Sequence, residues 1–188
     1  MRELILASRS PRRRQLLEML GIPVQVRPAD IPEITRPHET PTEYAERLAV
    51  EKAGAVPGEY VLGADTIVVL DGDVLEKPAD AEDAVAMLLR LQGKTHQVIT
   101  ACALHSPTGV HTATDVTLVT FRPAEEDVIR AYVATGEPLD KAGAYGIQGY
   151  GAALVEGIEG DFFGVMGLPV RKVLDLLEQG GWRYAFNR

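Results

Sequence analysis

Leu4-Ile5-Leu6-Ala7-Ser8-Arg9-Ser10-Pro11-Arg12-Arg13-Arg14-Gln15-Leu16-Leu17 is the stretch that decides the fold. Its apolar start reads as a strand, its middle as a short basic loop, and Leu16, Leu17, Met19 and Leu20 carry the i, i+3, i+4 stripe of an amphipathic helix. Ser10 is a good N-cap and Pro11 suits the first turn, because its ring presets φ and its missing N–H is not needed there. The free N–H groups of such a helix end favour anions. Guanidinium forks from Arg12 and Arg13 add paired donors, so the segment suits a di- or triphosphate. A plain capped helix with solvated arginines would carry the same residues.

Outward from this segment, the composition is that of an ordinary globular protein: 188 residues, 46% hydrophobic and 24% charged, enough for one large domain or two intimate lobes. A formal net charge of −8 argues against broad nucleic-acid or anionic-membrane binding, which needs an extended basic face. Basic residues handling phosphate must then be concentrated locally, as Arg9, Arg12, Arg13 and Arg14 are. No apolar stretch is long enough to span a bilayer, and Met1-Arg2-Glu3 runs into a strand rather than a signal peptide, so a cytoplasmic location is expected. Cys102, the one cysteine, lies in the alternating run Val98 to Leu104 and reads as core. That leaves neither a disulfide framework nor a cysteine metal site.

Along the chain, Pro23 to Arg27 reads as extended and Pro28 to Thr42 as a loop rich in proline and acid. A helix capped at Thr42 then ends before Pro57-Gly58. Tyr60 to Leu70 is a buried strand interrupted at Gly63-Ala64-Asp65-Thr66, and Asp71-Gly72 is a hairpin turn to Val74-Leu75. Asp80 caps a helix to Leu91, closed by Gly93. Val98 to Leu104 and Val116 to Phe121 alternate in period two around Ser106-Pro107-Thr108-Gly109, as an antiparallel hairpin does. Pro123 opens a helix through Tyr132, Gly136 to Gly151 is a glycine-dense structured loop, and Ala152 to Val155 is a strand. Val170 to Leu177 is the last helix, packed down by Trp182. The expected architecture is mixed α/β: an elongated sheet, parallel near the start and antiparallel in the middle, flanked by helices, with residues 1–188 forming a single domain of two lobes around a cleft.

Asp65 is the leading chemical candidate, since it breaks an otherwise apolar central strand. A carboxylate there is expensive to bury unless it is paired, metal-bound, catalytic or capping a turn beside Gly63. Lys77, in Glu76-Lys77-Pro78, follows the hairpin and could reach phosphate or be solvated. Lys52 is a lone lysine within an apolar stripe. Glu33, in the proline-rich loop, is either a solvated carboxylate or an oxygen ligand for a divalent cation. Gln148, within Asp140 to Gly149, offers a donor and an acceptor, as a reader of a nucleobase edge would need, or is an exposed loop amide. His38, His96, His105 and His111 read as structural. The glycines match neither the Walker loop nor the dinucleotide fingerprint.

Taken together, Ser8-Arg9-Ser10-Pro11-Arg12-Arg13, Gly63-Ala64-Asp65-Thr66, Glu76-Lys77-Pro78, Asp140 to Gly149 and Gly167-Leu168-Pro169 resemble, in order and over nearly the whole chain, the Maf family of nucleoside triphosphate pyrophosphatases. The resemblance implies hydrolysis of a nucleoside triphosphate to monophosphate and pyrophosphate with a divalent cation, Mg²⁺ or Mn²⁺. It also implies a two-lobed fold similar to that of the inosine triphosphate pyrophosphatases and a homodimer, while the acidic balance leaves no nucleic-acid or membrane partner expected. By resemblance Asp65 is the proton acceptor, and Arg12, Thr66 and Gln148 select the base. Ser8, Arg13, Lys52 and Lys77 line the phosphate site, and Glu33 with Asp65 forms the metal site. Arg12 and Ile147-Gln148-Gly149 are similar to the branch acting on dTTP and UTP, with modified pyrimidine nucleotides as further substrates. Pool cleaning and a link to septum formation are the implied roles. Phe163-Gly164 departs from the family, where many members have an asparagine. The competing expectations are a non-catalytic nucleotide- or nucleic-acid-binding regulator of cell division and a phosphotransferase.

Overall fold

The computed structural model describes residues 3–186. In chain order, β1 (Leu4–Leu6), α1 (Pro11–Met19), β2 (Val24–Val26) and α2 (Pro41–Gly54) lead to β3 (Tyr60–Leu70), β4 (Asp73–Leu75) and α3 (Ala81–Leu91). There follow β5 (Thr95–Ser106), β6 (Gly109–Phe121), α4 (Glu126–Ala134), three short 3₁₀ turns over 137–154, β7 (Val155–Glu159), α5 (Phe162–Met166) and α6 (Val170–Gln179). Seven strands form one open mixed sheet with hydrogen-bonded order β2-β1-β3-β5-β6-β7 and β4 paired to β3. The expected mixed sheet with flanking helices is therefore what the chain forms. Among the described residues no helix is long and apolar enough to cross a membrane.

The chain divides into two compact units: the residues up to Asp65 with Thr100–Asp115 and those from Gly167 on, and Thr66–Ile99 with Val116–Met166. In the first, β1 lies between β2 and β3, parallel to both, with Leu4 opposite Val24 and Tyr60. All three β1 residues are buried, as a parallel strand covered on both faces requires. α1 starts where the sequence predicts, capped by the Ser10 hydroxyl with Pro11 at its first position. Its buried face is Arg13, Leu16 and Leu17, whereas Met19 is 58% exposed. The chain reverses at Gly21 (φ 70°), and Ile22, whose N–H donates to the Leu17 carbonyl, is buried beyond the helix end.

α2 begins two residues earlier than a Thr42 cap requires. Thr40 is the cap, its hydroxyl accepting from Glu43 N at 3.3 Å while the Glu43 carboxylate accepts from Thr40 N at 2.8 Å. β3 is a continuous strand of eleven residues, so the expected interruption at 63–66 is absent. Gly63 serves a different end: a Cβ there would lie 2.3 Å from the Ala49 carbonyl oxygen and 2.6 Å from Ala53 N, so only glycine lets α2 settle this close to β3. Trp182 packs edge-on against Tyr60, with ring centroids 5.2 Å apart, and its backbone N–H donates to the Leu177 carbonyl of α6.

In the second unit, Asp71 (φ 54°) and Gly72 (φ 90°) make the expected tight turn, and β4 returns antiparallel with Leu75 opposite Val68. α3, capped by Asp80, packs with α4 around Phe121, Tyr132, Tyr145 and Leu88. Residues 149–154 form a 3₁₀ turn rather than a strand, and β7 begins only at Val155, antiparallel to β6. α4 begins at Glu126, three residues beyond Pro123. α5, which the sequence reading missed, has five residues, too few for a periodic signal. Asp161 fastens its start, accepting from Phe163 N and Gly164 N.

Candidate functional site

Three charged side chains converge in the first unit because β3, α2 and the loop after β2 are fastened there. Asp65, on β3, is 6% exposed and Lys52, on α2, 9%. The close approach at Gly63 carries the Lys52 ammonium onto both carboxylates: Nζ lies 2.6 Å from Asp65 Oδ1 and 2.7 Å from Glu33 Oε1. Glu33 is the more exposed partner, at 40% of its side chain. The ion pair with Lys52 explains how an aspartate survives in the middle of an apolar strand, since an unpaired buried charge would be far more costly. Asp115 solves the same problem more simply, with Lys172 Nζ at 2.8 Å as its partner.

The loop that carries Glu33 is held by a residue outside the sequence reading. Arg47 of α2 donates to Glu39 through Nε at 2.5 Å and Nη2 at 2.8 Å, to Glu51, and to the Ile34 carbonyl at 2.9 Å, one residue beyond Glu33. Arg36 joins the same cluster by pairing with Glu51 at 2.9 Å. Hydrogen bonding from Arg47 and its charge hold the Glu39 carboxyl down to about 2. The only linear hint is the i, i+4 spacing of Arg47 and Glu51; the bonds to Glu39 and Ile34 reach back over the α2 cap.

The basic segment after β1 splits by direction. Arg13 faces inward at 9% exposure, its Nε donating to the Gly167 carbonyl at 2.7 Å and its Nη1 to Ser8 Oγ at 2.9 Å, while Ser8 Oγ also accepts from Ser10 N at 3.2 Å. Burial pushes the Arg13 guanidinium below its ordinary value, against the opposing pull of the Asp65 and Glu33 carboxylates. Gly167, in the predicted Gly167-Leu168-Pro169 block, thus acts as an anchor for the first helix. Arg12 is half-buried, whereas Arg9 and Arg14 sit in exposed pairs with Asp30 and Glu18 that contribute little.

Of the other expected residues, Thr66 directly follows Asp65 on β3 and is partly buried, and Lys77 and Gln148 are exposed; all three belong to the second unit. Ser8, Arg13, Glu33, Lys52 and Asp65 all belong to the first. His96 is structural, as read: 2% exposed, Nε2 2.8 Å from the Tyr145 hydroxyl, and edge-on to Phe121. Cys102 is core, with burial pushing its thiol up to about 12.

The model of the Maf family, described as Maf-like protein, matches residues 3–180. The chain belongs to the Maf family. Relatives named dTTP/UTP pyrophosphatase include those of Symbiobacterium thermophilum, 50% identical over 186 residues (97% of this chain, 96% of that protein), and Moorella thermoacetica, 52% over 183 residues (94% of each). The one from Bacillus velezensis is 49% identical over 182 residues, covering 95% of this chain and 96% of its own. Among solved structures, the Staphylococcus aureus Ham1 protein superposes with a TM-score of 0.51 at 14% identity, covering 81% of this chain and 79% of that one, which is a likeness of fold.

Among the described residues of this Maf-family chain, no group of three or more His, Cys, Asp or Glu side chains is arranged to hold a metal ion. Glu33 and Asp65 instead offer a pair of carboxylates gathered on one ammonium. That donor set fits a hard divalent cation of the magnesium type, which takes one or two carboxylates and fills its remaining positions with water and substrate phosphate oxygens.

Proposed function

We propose that this chain is a nucleoside triphosphate pyrophosphatase that hydrolyses dTTP and UTP to the monophosphate and pyrophosphate. One observation carries the reading: a buried aspartate in mid-strand is held by a lysine shared with a second carboxylate, in a chain about half identical to proteins of that name. Asp65 orients a water and takes its proton as the oxygen bonds to phosphorus; the bridging oxygen of the α–β anhydride keeps the electrons of the broken bond and leaves with pyrophosphate. Lys52 offsets phosphate charge and fixes the position of the Asp65 carboxylate. Ser8 and Arg13 set the cationic end of α1, and Lys77, exposed, adds an ammonium for the departing pyrophosphate. Arg12, Thr66 and Gln148 select the base. Glu33 and Asp65 would hold Mg²⁺ or Mn²⁺, which when bound neutralises phosphate charge.

The test is direct. Purified protein with either cation and a panel of nucleoside triphosphates should release pyrophosphate, fastest from dTTP and UTP. Release of orthophosphate instead would point to a different hydrolase or to phosphoryl transfer, and neither product would leave a nucleotide-binding regulator. The homodimer and the cytoplasmic location that the family implies belong to the same proposal, and light scattering on the purified protein reads the first.

A further inference from the structure

Residues 136–151, in the second unit, are organised around the carboxylate of Glu137. Glu137 Oε1 accepts from the Tyr132 hydroxyl at 2.9 Å and from Gly151 N at 2.9 Å, and Oε2 accepts from Tyr150 N at 2.9 Å. The Tyr132 hydroxyl in turn accepts from Gly146 N at 3.2 Å. Lys141 Nζ ties the start of the segment, donating to the Glu137 carbonyl at 2.5 Å and to Asp140 at 2.6 Å. The backbone closes tightly on this hub. Gly149 has φ 75°, and a Cβ there would lie 2.5 Å from Glu137 Oε2; one on Gly151 would lie 2.2 Å from the Gly146 carbonyl oxygen. Glycine is required at both positions, by conformation at the first and by backbone contact at the second.

Gln148 sits inside this clasp. Ile147 before it is 8% exposed and sunk in the core, and Tyr150 and Gly151 after it are bonded to Glu137. Gln148 itself is exposed, on extended backbone at φ −87° and ψ 156°. A glycine-rich segment without such bonds would sample many conformations, and an amide that discriminates by hydrogen bonding must be presented in one. We infer that Glu137 is a positioning residue for base selection: by fixing the backbone just beyond Gln148, it sets how strongly the protein discriminates between nucleobases. This rests on the reading of Gln148 as a base-selecting residue.

The test uses Glu137→Gln, which keeps size and shape but replaces one acceptor oxygen by an NH₂ that must face donors. Three readouts are taken: calorimetric affinities for the α,β-imido analogues of dTTP, dCTP and dGTP, kcat on dTTP, and hydrogen exchange of the Tyr150 and Gly151 amides. The expected result is a drop of about tenfold or more in the affinity ratio between preferred and rejected bases, the scale of one lost hydrogen bond. With it should come faster exchange at those two amides and a kcat within about threefold of the original. An unchanged ratio with faster exchange, unchanged exchange, or a fall in kcat on dTTP well beyond threefold at constant ratio would each overturn the inference. Should Glu137→Gln fail to fold, Tyr132→Phe, which removes one bond to the same carboxylate, is judged by the same criteria with a smaller expected drop. Gln148→Ala separates the two layers. Lost discrimination there but intact discrimination in Glu137→Gln overturns the role of Glu137 alone, whereas intact discrimination in Gln148→Ala, or none in the unmodified protein, overturns both.

Discussion

The Lys52 cluster of the first unit and the Glu137 clasp of the second use carboxylates in opposite ways. Around Lys52, charges meet charges on regular elements, and the geometry is set by how closely α2 lies on β3 at Gly63. Around Glu137, a carboxylate meets neutral donors, two of them backbone N–H groups of an irregular segment whose shape exists only because those bonds are made. The first arrangement makes a reactive acid tolerable inside a sheet; the second gives a fixed shape to a loop with no ladder of its own. Substitutions should therefore cost charge balance in one region and conformation in the other.

The sharpest contrast is between two isosteric carboxyl-to-amide changes. Asp65→Asn should lower turnover by roughly three orders of magnitude, the scale of a lost general base, with nucleotide affinity changed only a few-fold by calorimetry; Glu137→Gln should leave turnover nearly intact. Equal losses at both positions would erase the distinction. Next comes Lys52→Met, which leaves Asp65 buried without its ammonium and should cost about 3–5 kcal/mol in denaturant unfolding. A cost near zero would mean the two acids do not depend on that lysine.

Gly63→Ala tests how the first region is assembled. The new methyl must displace the α2 backbone, at about 1–3 kcal/mol, and should reduce turnover by moving Lys52 away from Asp65. Unaltered kinetics would show that the helix contact does not set the charged geometry. The smallest effect lies in the second unit. Burial lowers His96 to about 4, so it stays neutral in the fold while its unfolded counterpart, near 6.5, takes up a proton. The unfolded state then binds more protons over this window, and stability falls as pH drops from about 6.5 toward 4, with a slope approaching about 1.4 kcal/mol per pH unit. Unfolding measured between pH 6.5 and 5 should show this slope in the unmodified protein and lose it in His96→Gln; a slope surviving that substitution would assign it elsewhere.

The sequence reveals most where the signal is local. Ser10-Pro11 and Asp80 mark helix starts and Asp71-Gly72 marks a hairpin, because each rests on the conformational preference of one or two residues. Thr40 was equally legible, since only it has a glutamate three residues on; the proline-rich approach hid the cap. What stayed hidden depends on distant partners. Gly63 reads as a break in a strand until the helix that lies against it is known, and Arg13 reads as a solvent-facing fork until its bond to Gly167, 154 residues away, is seen. The candidate site divides in the same manner. Asp65, Lys52 and Glu33 could each be picked out by type, but their sharing of one ammonium could not. Arg47 and Glu137 drew no notice because a single exposed-looking charge in a helix or loop is commonplace.

The central claim is that Asp65 drives hydrolysis of the α–β anhydride of a pyrimidine nucleoside triphosphate. The most direct measurement follows dTTP products by ³¹P NMR for the unmodified protein and Asp65→Asn side by side, each with Mg²⁺. The account predicts dTMP and pyrophosphate in equal amounts from the first and almost none from the second. Formation of dTDP and orthophosphate, or comparable pyrophosphate release by both, would contradict it.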